Sequence, residues 1–325
     1  MAASEVIQAA GSTYRNSQKQ QEDGPTVYYD SFTWIVVSDT QLPRALDGNG
    51  TECAYCNRSQ SEQKNREHVS SMNTIIREKG AKFVIINGDL TEYGHDDEFE
   101  EYKGIYSRVN APIRPGLGNH DYANNVDDCE LNNCATRMVE FIRRLESTDM
   151  KCRTHRVKTC VGSLMYSWRD NGLAFIQLHN YPTYQRNISA PLIVYYITPS
   201  LNQLKTLLDK LKISGNPSVV LNLHDPNEHW GEGDRELFEN LINSYNVAVV
   251  FAGHFHTVHG RYGSYGDIPL FLSGSAIYNT YLVVEADHTN NKLTVNRYSS
   301  VAGNAKFLGS DVVPLHRVFS KATPN

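Results

Sequence analysis

Two histidines separated by a single residue, His254 and His256, stand directly behind the apolar run VVFAG (249–253). Other residues with ligand chemistry occupy similar places. Asp39 follows FTWIVV (32–37), Asp89 follows KFVIIN (82–87), His224 follows SVVLNL (218–223), and Asn119 follows the short piece PIRPGLG. Each comes after a run apolar enough for a buried strand, or after a glycine. One carboxylate or imidazole at a strand end is usually a cap or a satisfied core group. Six of them at the carboxyl ends of core strands, where the loops of α/β sheets gather their sites, form a mixed oxygen and nitrogen ligand set. Such a set suits zinc, manganese or iron better than magnesium or calcium, which prefer oxygen alone.

The elements that must carry these residues are legible in the periodicity. Besides the three strand runs already quoted, LAFIQL (173–178) runs into His179 and Asn180, and VAVVFA (247–252) runs into the paired histidines. Helices fill the gaps. Val69, Met72, Ile75 and Ile76 make an apolar stripe closed by Gly80. Phe99, Tyr102, Ile105 and Tyr106 make a second, opened by Asp96, Asp97 and Glu98. A third starts at Thr198 and Pro199 and is buried through Leu201, Leu204, Leu208 and Leu211. Leu237, Phe238, Leu241 and Ile242 line a fourth. A β-hairpin over 164–178 turns at Asp170-Asn171-Gly172, and after residue 260 the pattern is strand again in PLFLS, TYLVVEA and KLTVNRY. This order predicts an α/β fold with helix layers outside two packed sheets. Residues 122–165 break the rhythm, hold one helix (135–147) and read as a cysteine-containing insertion. No linker divides the chain, so 30–325 are expected to form a single domain behind a flexible lead-in at 1–29.

Composition narrows the partners. The 325 residues include 31 basic and 36 acidic side chains, for a net charge of −5, and no basic run. The electrostatic footprint of a nucleic-acid-polymer binder is therefore missing. No apolar segment approaches the ~20 residues that span a bilayer, and the polar start of the chain has no signal-peptide core. Six cysteines at 53, 56, 129, 134, 152 and 160 suit locally paired disulfides. The zinc-knuckle alternative for CAYC fits less well, because the other spacings do not repeat it, and a redox role lacks the strand that should precede it. Three Asn-x-Ser/Thr triplets, at Asn49, Asn57 and Asn187, add to an extracellular, secreted reading.

Read together, SDTQ (38–41), NGDL (87–90), GNHD (118–121), LHD (223–225) and GHFH (253–256) resemble the motifs of the calcineurin-like metallophosphoesterases. In that family D-x-H, G-D, G-N-H-D/E, H and G-H-x-H occur in this order, and the match covers roughly 32–285. With the element pattern, the resemblance implies a four-layer α/β/β/α sandwich of two packed mixed β-sheets. It implies two divalent metal ions (Zn, Mn or Fe) about 3.5–4 Å apart, with a water or hydroxide between them as the in-line nucleophile. Asp89 would bridge the ions. Asp39, Gln41 and His256 would complete one, and Asn119, His224 and His254 the other. His120 is the family's general acid, and Asp121 would orient it and hold it protonated.

One residue departs from the pattern. Gln41 stands where the family has histidine, so it either ligates as a weaker neutral group or binds substrate beside a half-filled site. Glu92 occupies the position of the purple phosphatases' tyrosine, which disfavours their iron chemistry. The purple acid phosphatase, acid sphingomyelinase-like and nucleotide phosphodiesterase branches all share the motif order. The expected activity is phosphodiester hydrolysis, because no added lysine or arginine motif clamps a terminal dianionic phosphate. The substrate would be a small phosphoester, a nucleotide or a phospholipid headgroup. The alternatives are a phosphomonoesterase or nucleotidase, and a catalytically weakened binding or toxin-like protein. His179 either lines the substrate pocket or is a hydrogen-bonded core histidine. His229, Trp230 and His259 read as loop residues, and Tyr122, Tyr181, Tyr184, Trp230 and Tyr278 could line a groove for a lipid or a base.

Overall fold

The computed structural model describes residues 31–316, so the lead-in expected at 1–29 lies outside the described residues. In chain order, the strands of the two large sheets begin with β1 (Ser31–Val37), β2 (Val84–Ile86), β3 (Ile113–Pro115), β4 (Tyr166–Asp170), β5 (Leu173–Gln177) and β6 (Val219–Asn222). They continue with β7 (Val247–Ala252), β8 (His259–Tyr265), β9 (Ile268–Ser273), β10 (Thr280–Asp287), β11 (Lys292–Ser299) and β12 (Lys306–Pro314). The first sheet has the order β12-β11-β10-β1-β2-β3 and the second β8-β9-β7-β6-β5-β4. Both are mixed. β1 runs parallel to β2 and antiparallel to β10, while β7 runs parallel to β6 and β9.

Alternation along each strand assigns the layers. Phe32, Trp34 and Val36 of β1 face Phe175, Val220, Val249 and Phe251 of the second sheet in one apolar core. The intervening Ile35 and Val37 face outward onto Val69, Met72, Ile75, Tyr102 and Tyr106 of two helices, α1 (Arg58–Lys79) and α2 (Asp96–Tyr106). Period-two strands buried on both faces therefore make three apolar layers from one sequence pattern. Trp34 meets Phe175 edge-on at 5.2 Å, an aromatic pair worth about 1 kcal/mol beyond its buried area. The outer face of the second sheet is covered by two more helices, Leu201–Ile213 and Asp234–Asn243, through Leu204, Leu208, Phe238 and Ile242. The result is the expected α/β/β/α sandwich.

The hairpin β4–β5 turns on Asn171 (φ 43°) and Gly172 (φ 78°), two left-handed residues that match the twist of its strands. Three elements differ from expectation. Helix α1 starts at Arg58, far ahead of its apolar stripe, because its first turns bury polar Ser61, Asn65 and His68 instead. The helix expected to begin at Thr198 and Pro199 begins at Leu201, with Ser200 at its N-cap. The 122–165 insertion holds its helix at Asn133–Leu145 and also a strand pair, Lys151–Thr154 with Lys158–Gly162. That pair joins Arg186–Ala190 and Ile193–Ile197 in a four-stranded side sheet. The cysteines pair locally as Cys53–Cys56, Cys129–Cys134 and Cys152–Cys160. No helix among the described residues is long and apolar enough to cross a membrane.

Candidate metal centre

The loops behind β1, β2, β6 and β7 meet at one end of the sandwich, together with the one-turn helix Asn119–Tyr122 that follows β3. Asp39, Gln41, Asp89, Asn119 and His224 are all buried there, and His254 and His256 are partly buried. The ligand atoms of Asp89, His224 and His254 lie within 4.8 Å of one another, and so do those of Asp39, Asp89 and His256. Asp89 belongs to both groups, the place a bridging carboxylate must take. Asn119 Oδ1 lies 2.9 Å from His224 Nε2, within the first group.

The chain makes this convergence by bending sharply. Asp39 (φ 51°), Gln41 (φ 35°), Asp89 (φ 50°) and His254 (φ 70°) all hold left-handed backbone, which side chains other than glycine seldom adopt. Gly118 has to be glycine for a different reason: a Cβ there would fall onto the Asp89 carboxylate and lie 2.7 Å from its backbone nitrogen.

Hydrogen bonds fix which atoms face inward. Asp39 Oδ2 accepts from the Ser38 hydroxyl and from the His254 backbone N–H (3.0 Å), leaving Oδ1 with no hydrogen bond. Asp89 Oδ1 accepts from the His120 backbone N–H (3.0 Å), leaving Oδ2 likewise. His224 Nδ1 donates to the Asn87 carbonyl at 2.8 Å, His256 Nδ1 donates to Glu52 Oε2 at 2.6 Å, and His254 Nε2 donates to Glu228 Oε2 at 2.6 Å. The remaining ring nitrogens therefore point lone pairs into the site. His224 Nε2 faces Asp89 Oδ2 at 3.1 Å and His254 Nδ1 at 3.2 Å, and His256 Nε2 faces Asp39 Oδ1 at 3.2 Å. Acceptors facing acceptors repel unless a positive charge sits between them, so the donor set fits cations. Both amide atoms of the buried Gln41 also lack a hydrogen-bond partner among the described residues. These donor atoms are chemically suited to a metal ion, the outer carboxylates on His254 and His256 being the kind that set imidazole tautomers at metal sites.

Proton affinities report the same field. Burial pulls the imidazoles of His224 and His256 down, but Asp89 beside the first and Asp39 and Glu52 beside the second outweigh it and raise both to about 10. Burial pushes Asp89 up, and His224 and His120 overcome it to hold that carboxylate well below its ordinary range. His254 is lowered by burial and by neighbouring His224. A pocket that grips protons this tightly is a pocket for positive charge.

His120 lies beside this cluster with its side chain 17% exposed, and its Nδ1 donates to the Glu92 carbonyl at 2.9 Å, which leaves Nε2 free. Asp121 does not meet the His120 ring. Its carboxylate accepts from the backbone N–H groups of Leu90, Thr91 and Gly118, and burial and the nearby Asp89 raise it to about 7. It ties the NGDL loop to the GNHD loop, and the acceptor that meets the His120 ring is the Glu92 main-chain carbonyl instead. His179 is a core histidine: fully buried, it accepts from Leu117 N–H (3.1 Å), donates to the Leu164 carbonyl (2.8 Å) and is lowered to about 4 by burial. His259, expected in a loop, opens strand β8 and donates to the Tyr281 carbonyl, and Tyr122 and Tyr184 are buried against each other. His229, read as a loop residue, packs its ring 5.1 Å from that of His254 while hydrogen-bonding Asp225. A further group, His95, Asp128, Cys129 and Cys134, offers no thiolate because the two cysteines are joined. Glu52, Glu92, Glu228 and Arg44 were not legible as site residues; of these only Glu92 carried a signal, from its place three after Asp89.

Two candidate ligand clusters sharing one carboxylate, at the loop end of a four-layer sandwich, point to a phosphoester hydrolase of the metallophosphoesterase class. The sequence model of the calcineurin-like phosphoesterases matches residues 32–258, and the chain belongs to that family. Among solved structures, a dimetal phosphatase from Danio rerio is similar at 13% identity and a TM-score of 0.58, over 87% of this chain and 99% of that one. A purple acid phosphatase from yellow lupin (Lupinus luteus) seeds shares 10% identity and a TM-score of 0.52, over 87% and 54%. GAP50, the anchor in the inner membrane complex of Plasmodium, shares 12% and 0.55, over 88% and 90%. At these identities the likeness is one of fold.

Proposed function

We propose that the chain is a secreted, metal-dependent phosphodiesterase. Asp39, Gln41, Asp89 and His256 would hold one divalent ion, and Asp89, Asn119, His224 and His254 a second. When bound, such a pair lowers the pKa of water enough to supply a nucleophile at neutral pH and offsets charge on the phosphoryl oxygens. The residues do the rest. Glu52, Glu228 and the Asn87 carbonyl fix the three imidazole tautomers. His120, held through Nδ1, presents Nε2 to protonate the departing alkoxide.

The observation that carries diester over monoester is the cleft of about 440 Å³ beside His254 and His256. Its wall is Phe255, Val258 and Tyr262 with the Glu52 carboxylate, and no lysine or arginine lines it. A monoanionic diester with an apolar or aromatic substituent suits that wall better than a terminal dianion, which wants a guanidinium or ammonium partner. A nucleotide or a phospholipid headgroup both meet this description. Three disulfide pairs and the exposure of Asn49, Asn57 and Asn187 support secretion. Metal content per chain and the hydrolysis of bis-p-nitrophenyl phosphate against p-nitrophenyl phosphate test the proposal. About two equivalents and faster diester turnover support it. Equal turnover would favour a monoesterase. No metal and no turnover after zinc or manganese is added back would leave the binding-protein reading that the weak ligand Gln41 favours.

A further inference from the structure

The two ends of the site are joined by a chain of charges that the ligand motifs do not contain. Arg44 lies in the loop after the Asp39-Thr40-Gln41 turn. Its guanidinium grips Glu92 with two donors, Nε to Oε2 at 2.8 Å and Nη2 to Oε1 at 2.7 Å. A third donor, Nη1, reaches Glu52 Oε2 at 3.3 Å. That same Glu52 oxygen is the acceptor for His256 Nδ1. At the other end, Glu92 meets His120 twice, through its carbonyl at 2.9 Å and through Oε1 at 3.6 Å from the same Nδ1. Glu92 is fully buried, and the Arg44 side chain is 19% exposed. A buried carboxylate without its partner is strongly destabilised, so Arg44 decides where Glu92 can sit. Glu52 is fixed further by the short ribbon Ala45–Leu46 with Glu52–Cys53 and by the Cys53–Cys56 disulfide.

We infer that Arg44 is a positioning residue that aligns a metal-ligand histidine and the acid histidine together, through Glu52 to His256 and through Glu92 to His120. The rigid planar fork is what makes this possible, because it can satisfy two carboxylates in fixed directions. Each glutamate then orients one imidazole: the Glu52 carboxylate accepts from His256 Nδ1–H so that Nε2 faces the metal side, and the Glu92 main-chain carbonyl, placed by the Arg44 grip on its side chain, accepts from His120 Nδ1–H so that an Nε2–H faces the leaving group. The inference rests on the roles proposed above for His256 and His120.

The test separates the two arms. Zinc affinity, by competition with a chromophoric chelator, and kcat and KM for bis-p-nitrophenyl phosphate at saturating zinc are measured for the wild type, Glu52→Gln, Glu92→Gln and Arg44→Met. Loss of a carboxylate behind a ligand histidine lowers metal affinity ~10–100-fold, the effect expected for Glu52→Gln. Misplacing the acid lowers kcat ~10–100-fold with KM little moved, the effect expected for Glu92→Gln. Arg44→Met should show both losses at once, a split that a merely structural residue would not produce. A folded Arg44→Met with zinc affinity and kcat within about twofold of the wild type overturns the inference. Should Arg44→Met not fold, the two isosteric glutamine variants decide it: neither loss in either variant overturns it equally. A wild type that binds neither zinc nor manganese and hydrolyses no diester would count against the proposed metal-dependent phosphodiesterase instead, and is seen before any variant is made.

Discussion

Gln41 gives the sharpest test of the ligand set, because metal reverses the sign of the expected effect. The side chain is 2% exposed, and neither amide atom meets a partner among the described residues. Each buried unsatisfied polar group costs ~1–3 kcal/mol, so replacing the amide by an apolar side chain of similar size in Gln41→Leu should stabilise the metal-free protein by ~2 kcal/mol after imperfect packing is allowed for. For a domain this large that is about 4 °C in Tm. With metal present the balance turns. Metal at 100 times its Kd adds ~2.7 kcal/mol, and a ligand loss that weakens Kd about a hundredfold removes nearly all of it. The leucine variant should then melt marginally below the wild type, by ~0.3 kcal/mol, so the ~2 kcal/mol gain of the chelated form is gone. Calorimetric melts of both proteins, chelated and with zinc, read the two differences. An equal rise with and without zinc would show that Gln41 does not touch metal. No rise in the chelated form would show that its amide is already satisfied.

Three further outcomes are expected. His120→Ala should lower kcat by ~10²–10⁴ while elemental analysis finds unchanged metal content, since its ring is outside the ligand set. Gly118→Ala puts a Cβ onto the Asp89 carboxylate; overpacking of this kind costs ~1–3 kcal/mol, and chelator competition should show weakened binding of both ions because Asp89 is shared. His68 is buried neutral beneath the first sheet and lowered by that burial to about 4. Its stabilising contribution is complete above the unfolded pKa near 6.5 and is lost as pH falls through the folded value, ~3 kcal/mol in all. Urea melts of His68→Gln should therefore flatten between pH 7 and 4 relative to the wild type, and parallel curves would contradict the assignment.

The core strands were legible because they are buried on both faces, which leaves β1, β5, β6 and β7 as short, nearly continuous apolar runs. The candidate ligands stand out in the sequence for the same reason: a polar residue directly after such a run has few structural uses. The start of α1 was hidden because Ser61, Asn65 and His68 are polar yet buried, with Asn65 hydrogen-bonding the Thr40 carbonyl and the Asn57 side chain capping the first turn. The side sheet was hidden because strands such as Arg186–Ala190 and Lys151–Thr154 are largely exposed and carry little apolar alternation. Glu52 and Glu228 could not be found from sequence at all. Their roles depend on which imidazole nitrogen they reach, and that is fixed only once loops far apart in the chain are brought together. The role that the family resemblance implied for Asp121 differs for a related reason: the one-turn helix directs its carboxylate onto the backbone N–H groups of Gly118, Leu90 and Thr91 rather than toward the His120 ring.

The four left-handed candidate ligand residues have a bearing on how this enzyme could be engineered. Non-glycine residues in that conformation cost on the order of 1 kcal/mol each, and four of them weigh visibly against a total stability of ~5–15 kcal/mol. A library screened only for heat resistance would thus be rewarded for glycine or asparagine at Gln41 and His254, where the side chain gains nothing from its own backbone. Thermostable clones from such a screen would accumulate replacements inside the site before anywhere on the outer helices. Selection for turnover has to be applied at every round, because at these positions durability and activity pull in opposite directions.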